Sequence, residues 1–126
     1  MTKEDGRIKS ALARDGVVDI TTTGRKTKKP RRIEIWYHSV DGRVYLTGLP
    51  GPRSWYANLL ANPEFTFHLK EEVRADLAAR GTPILDKAKR KEIMSKILNR
   101  GRSSGDLEAW MSQSPLVEVT FPSTNA

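Results

Sequence analysis

Residues 24 to 32 read GRKTKKPRR, and six of these nine positions are cationic: Arg25, Lys26, Lys28, Lys29, Arg31 and Arg32. The whole chain carries a formal charge of only +7 at pH 7. The chemistry such a stretch supports is capture of an anion. An arginine grips a phosphate or carboxylate through two parallel hydrogen bonds, whereas a lysine acts as a point charge. Gly24 and Pro30 punctuate the run and favour a loop, in which backbone N–H groups can converge on the same anion. Three occupants fit this much: solvent and counterions around a charged surface, a nucleic-acid backbone, or one phosphorylated small ligand. The nucleic-acid reading would use Trp36, Tyr37 and His38 for stacking. It is the weaker one, because no helix-turn-helix spacing, RNA-recognition consensus or zinc-finger pattern accompanies the basic run.

Other side chains capable of chemistry are few. His38 and His68 are the only histidines, too few for a His-rich metal site, and no cysteine is present, so thiol chemistry and Cys-ligated zinc are excluded. No Ser/His/Asp constellation stands out. His38 reads as a surface histidine on a strand, with proton donation as the sharper alternative. His68 lies between Phe67 and Leu69 and reads as pointing away from the core. Trp55 and Tyr56 read first as anchors of a short helix, with a ligand-facing role for one of them as the alternative.

The elements that must position these residues follow from periodicity. Ile8, Ala11 and Leu12 sit at helical spacing within 3–14. Val17, Val18, Ile20 and Thr21 to Thr23 are β-branched and favour a strand. The basic nonapeptide is expected as the loop between that strand and the next, where Ile33, Ile35 and Tyr37 alternate with Glu34 and Trp36. Asp41-Gly42 signals a hairpin turn. Ser54 can cap a helix from Trp55 to about Ala61, ended by Asn62-Pro63. Alternation predicts further strands over 65–69 and 73–84. Asp86 can cap a basic helix to about Asn99 with Ile93, Met94, Ile97 and Leu98 beneath it. Gly101 reads as its stop, residues 103–111 as a short helix, and 116–121 as a last strand. The basic helix reads as a solvated face, with peripheral contact to a membrane surface left open.

The expected fold is therefore mainly β: a small antiparallel barrel of six strands with peripheral helices. At 126 residues the chain reads as one domain, with an arm over 1–15, a barrel core over 17–84, and helices plus the last strand over 86–121. No apolar run is long enough to span a membrane, and the N-terminus MTKEDGRIKS has no apolar leader segment, which points to the cytoplasm.

Two segments carry a resemblance. TTTGRKTKKPRRIEIWY (21–37) resembles the signature "TTxGRKSGKPR" of the deazaflavin-dependent nitroreductase family, and PRSWYANLLANPEF (52–65) resembles its second signature, "WYxNLxANPxV". That family consists of split-β-barrel oxidoreductases that use coenzyme F420. The resemblance implies hydride transfer from reduced F420 to an electron-poor small molecule such as a quinone or nitro compound. It implies that Arg25, Lys26, Thr27, Lys29, Arg31 and Arg32 hold the phosphate and oligoglutamate tail. It further implies that Leu49, Pro50, Gly51 and Arg53 lie near the cofactor, and that Trp55, Tyr56 and Asn58 border the ring groove. FMN in the same barrel, or a carrier without turnover, are the alternatives. Split barrels of the wider superfamily often pair, so a homodimer is a further expectation; a metal is not. The chain departs from the family at Lys28, where glycine is common, in a shortened segment before Trp55, and in lacking tyrosines in its C-terminal half.

Overall fold

The computed structural model describes residues 3–48, 54–71, 73–98 and 114–122. In chain order the elements are α1 (Lys3–Leu12), β1 (Gly16–Thr23), β2 (Pro30–Val40), β3 (Arg43–Thr47), α2 (Ser54–Ala61), β4 (Glu64–Leu69), β5 (Ala75–Pro83), α3 (Lys87–Leu98) and β6 (Leu116–Thr120). The six strands close into a barrel in the order β1-β2-β3-β6-β5-β4, with every neighbouring pair antiparallel. β6 thus crosses back to fill the gap between β3 and β5.

Side-chain alternation decides what fills the barrel. Val18, Ile20 and Thr22 of β1 are buried, while Val17, Asp19, Thr21 and Thr23 are half-buried. Val18, Ile20, Leu46 and Phe67 are fully enclosed in the main core. Phe67 packs edge-on against Tyr37 and Phe121, with ring centroids 5.3 and 5.2 Å apart, a favourable arrangement for aromatic pairs. A second core forms where α3 covers the outer side of the sheet, joining Val40, Tyr45, Ile84, Ile93, Met94, Ile97 and Leu116. The expected Asp86 cap is present: Lys89 N–H donates to Asp86 Oδ2 at 2.9 Å. Asp41 and Gly42 have φ of +51° and +79°, the turn that a two-residue hairpin requires.

Two expectations need correction. The basic nonapeptide is not a loop throughout: its last three residues begin β2, with Pro30, Arg31 and Arg32 opposite Thr23, Thr22 and Thr21. Proline is tolerated there because it opens the strand and β3 pairs with β2 only from Tyr37 to Val40. Nor is His38 a surface residue. It lies opposite Tyr45, where α3 packs on the sheet, is 4% exposed, and has Nδ1 3.8 Å from Asp15 Oδ2. The expected stop at Gly101 and helix over 103–111 fall outside the described residues.

Candidate functional site

The loop Gly24–Lys29 holds itself closed. Gly24 N–H donates to Lys29 O at 2.8 Å, and Lys28 N–H donates to Gly24 O at 2.9 Å. Lys29 N–H donates to Thr27 Oγ1 at 3.2 Å. A Cβ on Gly24 would meet Thr27 Oγ1 at 2.5 Å, so a larger residue there would displace the hydroxyl that accepts from Lys29 N–H. Lys28 has φ of +61°, the left-handed conformation that glycine adopts freely and other residues adopt at a cost of about 1 kcal/mol. This accounts for the glycine common at that place in the resembled family.

Helix α2 stands over the loop. Its Trp55 and Leu59 are buried in the barrel core, which fixes the helix. From the same helix Asn58, 7% exposed, reaches the loop: its Oδ1 accepts from Arg25 N–H at 3.1 Å, and its Nδ2 donates to Thr22 Oγ1 at 3.1 Å. Between loop and helix lies a cavity of about 390 Å³ lined by Arg25, Lys26, Thr27, Arg31, Ser54 and Asn58, among others. Among the described residues, the side chains of Arg25, Lys26 and Arg31 have no carboxylate partner, and the amides of Lys26 and Thr27 have no protein acceptor. Cationic side chains and backbone donors around one concave space have the chemistry to hold an anion.

The strand register separates the two arginines. Arg31 is opposite the buried Thr22 and lines the cavity. Arg32 is opposite Thr21 on the outer face, where its Nε donates to Asp19 Oδ2 at 3.0 Å. Lys70 joins this outer group, donating to Asp19 Oδ1 at 2.7 Å and to Glu34. The Lys70 hydrogen bond, opposed by desolvation and aided by Arg32, holds the Asp19 carboxyl below its ordinary value. On the outer face too, His68 is bonded to Thr21 Oγ1 and Asp76 Oδ1, both at 2.7 Å. His68 is nevertheless buried, and its hydrogen bond holds the Asp76 carboxyl down.

Of the residues expected at the site, Arg25, Lys26, Thr27, Arg31 and Asn58 meet at this cavity, whereas Lys29 and Arg32 do not line it. Trp55 is a core residue; Tyr56 is half-buried and packs edge-on against it at 6.1 Å. Leu49, Pro50, Gly51 and Arg53 lie outside the described residues. Sequence reasoning missed Thr22. The alternation of β1 was its signal, since Thr22 falls in register with Val18 and Ile20.

A family model described as F420H(2)-dependent quinone reductase matches residues 1–118. The chain belongs to that family. Solved structures similar to this quinone reductase family member share its barrel. One is the conserved hypothetical protein Rv2991 from Mycobacterium tuberculosis, 14% identical over 96% of this chain and 81% of that one, with a TM-score of 0.67. Another is an F420-H2 dependent reductase (FDR-A), 19% identical over 82% and 93%, with a TM-score of 0.57. A third is described as a domain-swapped dimer, 23% identical over 82% and 79%, with a TM-score of 0.55. F420 is the cofactor, and the reaction is reduction of an electron-poor acceptor. The residues present suit this cofactor, because its phosphodiester and carboxylate tail matches a cavity with cations and free amides. Among the described residues no cluster of His, Asp and Glu could hold a metal, and no helix is long and apolar enough to cross a membrane.

Proposed function

We propose that the cavity between Gly24–Lys29 and α2 holds the phosphate and acidic tail of F420, so that the barrel positions the cofactor for reduction of a quinone-like acceptor. When bound and reduced, F420 supplies a hydride from its deazaflavin C5. The chain's own contribution is binding and orientation. Arg25 and Arg31 offer forked donors, Lys26 a mobile charge, and the amides of Lys26 and Thr27 fixed dipoles. Asn58 keeps the loop against α2. By the family resemblance we assign Leu49, Pro50, Gly51 and Arg53 to the surroundings of the cofactor, and the helix carrying Trp55, Tyr56 and Asn58 to one side of the ring groove. No side chain is assigned as proton donor.

The observation that carries this reading is one cavity lined by three cationic residues, Arg25, Lys26 and Arg31, whose side chains have no carboxylate partner among the described residues. The test is fluorescence titration of the purified protein with F420 and, separately, with FMN. The expected result is preference for F420 that weakens as salt rises, since ion pairing at an open site is screened. Preference for FMN, or salt-insensitive binding, overturns it.

Self-association is a second proposal. One structure similar to this chain is a domain-swapped dimer. Residues 30–35 of β2 pair with β1 along one edge, and among the described residues no strand is paired with them along the other. An open edge of this kind can accept a strand from a second copy. Sedimentation velocity should then show a dimer; a monomer at every concentration refutes it.

A further inference from the structure

We propose that Asn58 and Thr22 are positioning residues of the anion cradle: together they fix which backbone amides of the basic loop face the ligand. The proposal rests on the reading that this cradle takes the acidic end of F420. Residues 24–29 carry six amide N–H groups, and four have partners among the described residues. Three of those bonds, from Gly24, Lys28 and Lys29, are internal to the loop. They would close the turn in whatever direction it pointed. Among these four, the bond from Arg25 N–H to Asn58 Oδ1 is the one that ties the loop to another described element.

The orientation of Asn58 is determined by its neighbours. Arg25 N–H is a donor and nothing else, so it requires the carboxamide oxygen. That leaves Nδ2 facing Thr22, whose hydroxyl accepts at 3.1 Å. Thr22 is 2% exposed and cannot be reached by a competing water without opening the barrel. Asn58 itself is buried, with one bond from each end of its amide. By taking the Arg25 amide out of the cradle, it leaves Lys26 and Thr27 as the consecutive free pair. Two neighbouring amides in a tight turn suit one oxyanion group. Asn58 therefore acts on the ligand through the loop.

The test uses Asn58→Ala, Asn58→Asp, Thr22→Val and Thr22→Ser in the full chain. It reads the F420 dissociation constant by fluorescence and the hydrogen-exchange protection of the Arg25 amide. In Asn58→Ala the Arg25 amide loses protection, and the dissociation constant rises about tenfold, the loss of roughly one part-buried hydrogen bond. In Asn58→Asp the carboxylate accepts from both Arg25 N–H and the Thr22 hydroxyl, so protection persists. Binding still weakens, because the cradle gains a negative charge. Thr22→Ser keeps wild-type values and Thr22→Val does not, which tests the clasp even if Asn58→Ala fails to fold. Wild-type affinity in Asn58→Ala overturns the proposal, whether or not the Arg25 amide stays protected. Failure of the underlying reading looks different: Arg25→Ala and Lys26→Ala, which retain the backbone amides and the clasp, would then bind F420 as the wild type does.

Discussion

At the end of the barrel closed by α1, Asp15 Oδ1 accepts from Ser39 N–H at 2.7 Å and Glu71 Oε1 accepts from Val17 N–H at 2.8 Å. Tyr37 Oη donates to Ala11 O at 2.8 Å across the same end. At the other end, Arg25, Lys26 and Arg31 surround a cavity without a carboxylate partner among the described residues, and two adjacent amides stand free. The first end uses its side chains to bond backbone groups that the strand pairing leaves over. The second leaves charge and donors uncompensated. The cavities differ accordingly, about 220 Å³ between Arg14, Asp15 and Glu71 against about 390 Å³ beside the basic loop. Unused polar capacity at a concave surface marks where a ligand completes the structure; matched capacity marks stability alone.

This contrast predicts that substitutions at the two ends have separable effects. The largest is expected at the open end. Replacing Arg25 and Lys26 together with alanine should raise the F420 dissociation constant by about a hundredfold, since each charge-assisted hydrogen bond is worth roughly 1.5–3 kcal/mol. The melting temperature should stay within about 2 °C of wild type, because neither side chain supports the fold. Lost stability with unchanged affinity would reverse the assignment of the two ends. At the closed end, Glu71→Ala should do the opposite. It strips Val17 N–H of its partner, costing about 1 kcal/mol, and should lower the melting temperature by about 3–5 °C while F420 affinity holds. A matching loss of affinity in calorimetry would show that the ends are coupled.

The smallest effect concerns the outer charge group. Asp19 is held below its ordinary value of 3.8 by Lys70 and Arg32, so it stays ionised in the folded protein at a pH where the unfolded chain would take up a proton. Its contribution to stability is therefore complete above about pH 4 and is lost as pH falls through the depressed value. Asp19→Asn should flatten the acid limb of a stability–pH curve and leave F420 binding at neutral pH unchanged. An acid limb identical to wild type would remove the role given to this ion pair.

Much of the barrel was legible in periodicity. The β-branched run before Gly24, the Asp41-Gly42 turn and the alternation over 65–69 and 75–83 stand where local propensity puts them, whereas β2 starts earlier, at Pro30. Less visible was anything that depends on register. Arg31 and Arg32 are equivalent as sequence, yet adjacent positions on a strand face opposite sides, so one lines the cavity and the other meets Asp19. His38 likewise reads as a surface residue, yet it is buried beside Asp15, a residue far from it in the chain. Asn58 was legible only as part of a resemblance. Its partners Thr22 and Arg25 come together through the fold, and no local pattern announces them.

The most direct test of the account is therefore F420 titration of Arg31→Ala beside Arg32→Ala, two neighbouring losses of the same charge. The account predicts that Arg31→Ala weakens binding about tenfold or more, while Arg32→Ala, which breaks only a pair at the surface, changes it by less than about twofold. Equal losses in the two variants would mean that the chain binds its cofactor through overall positive charge, and the cavity between the basic loop and α2 would lose its role.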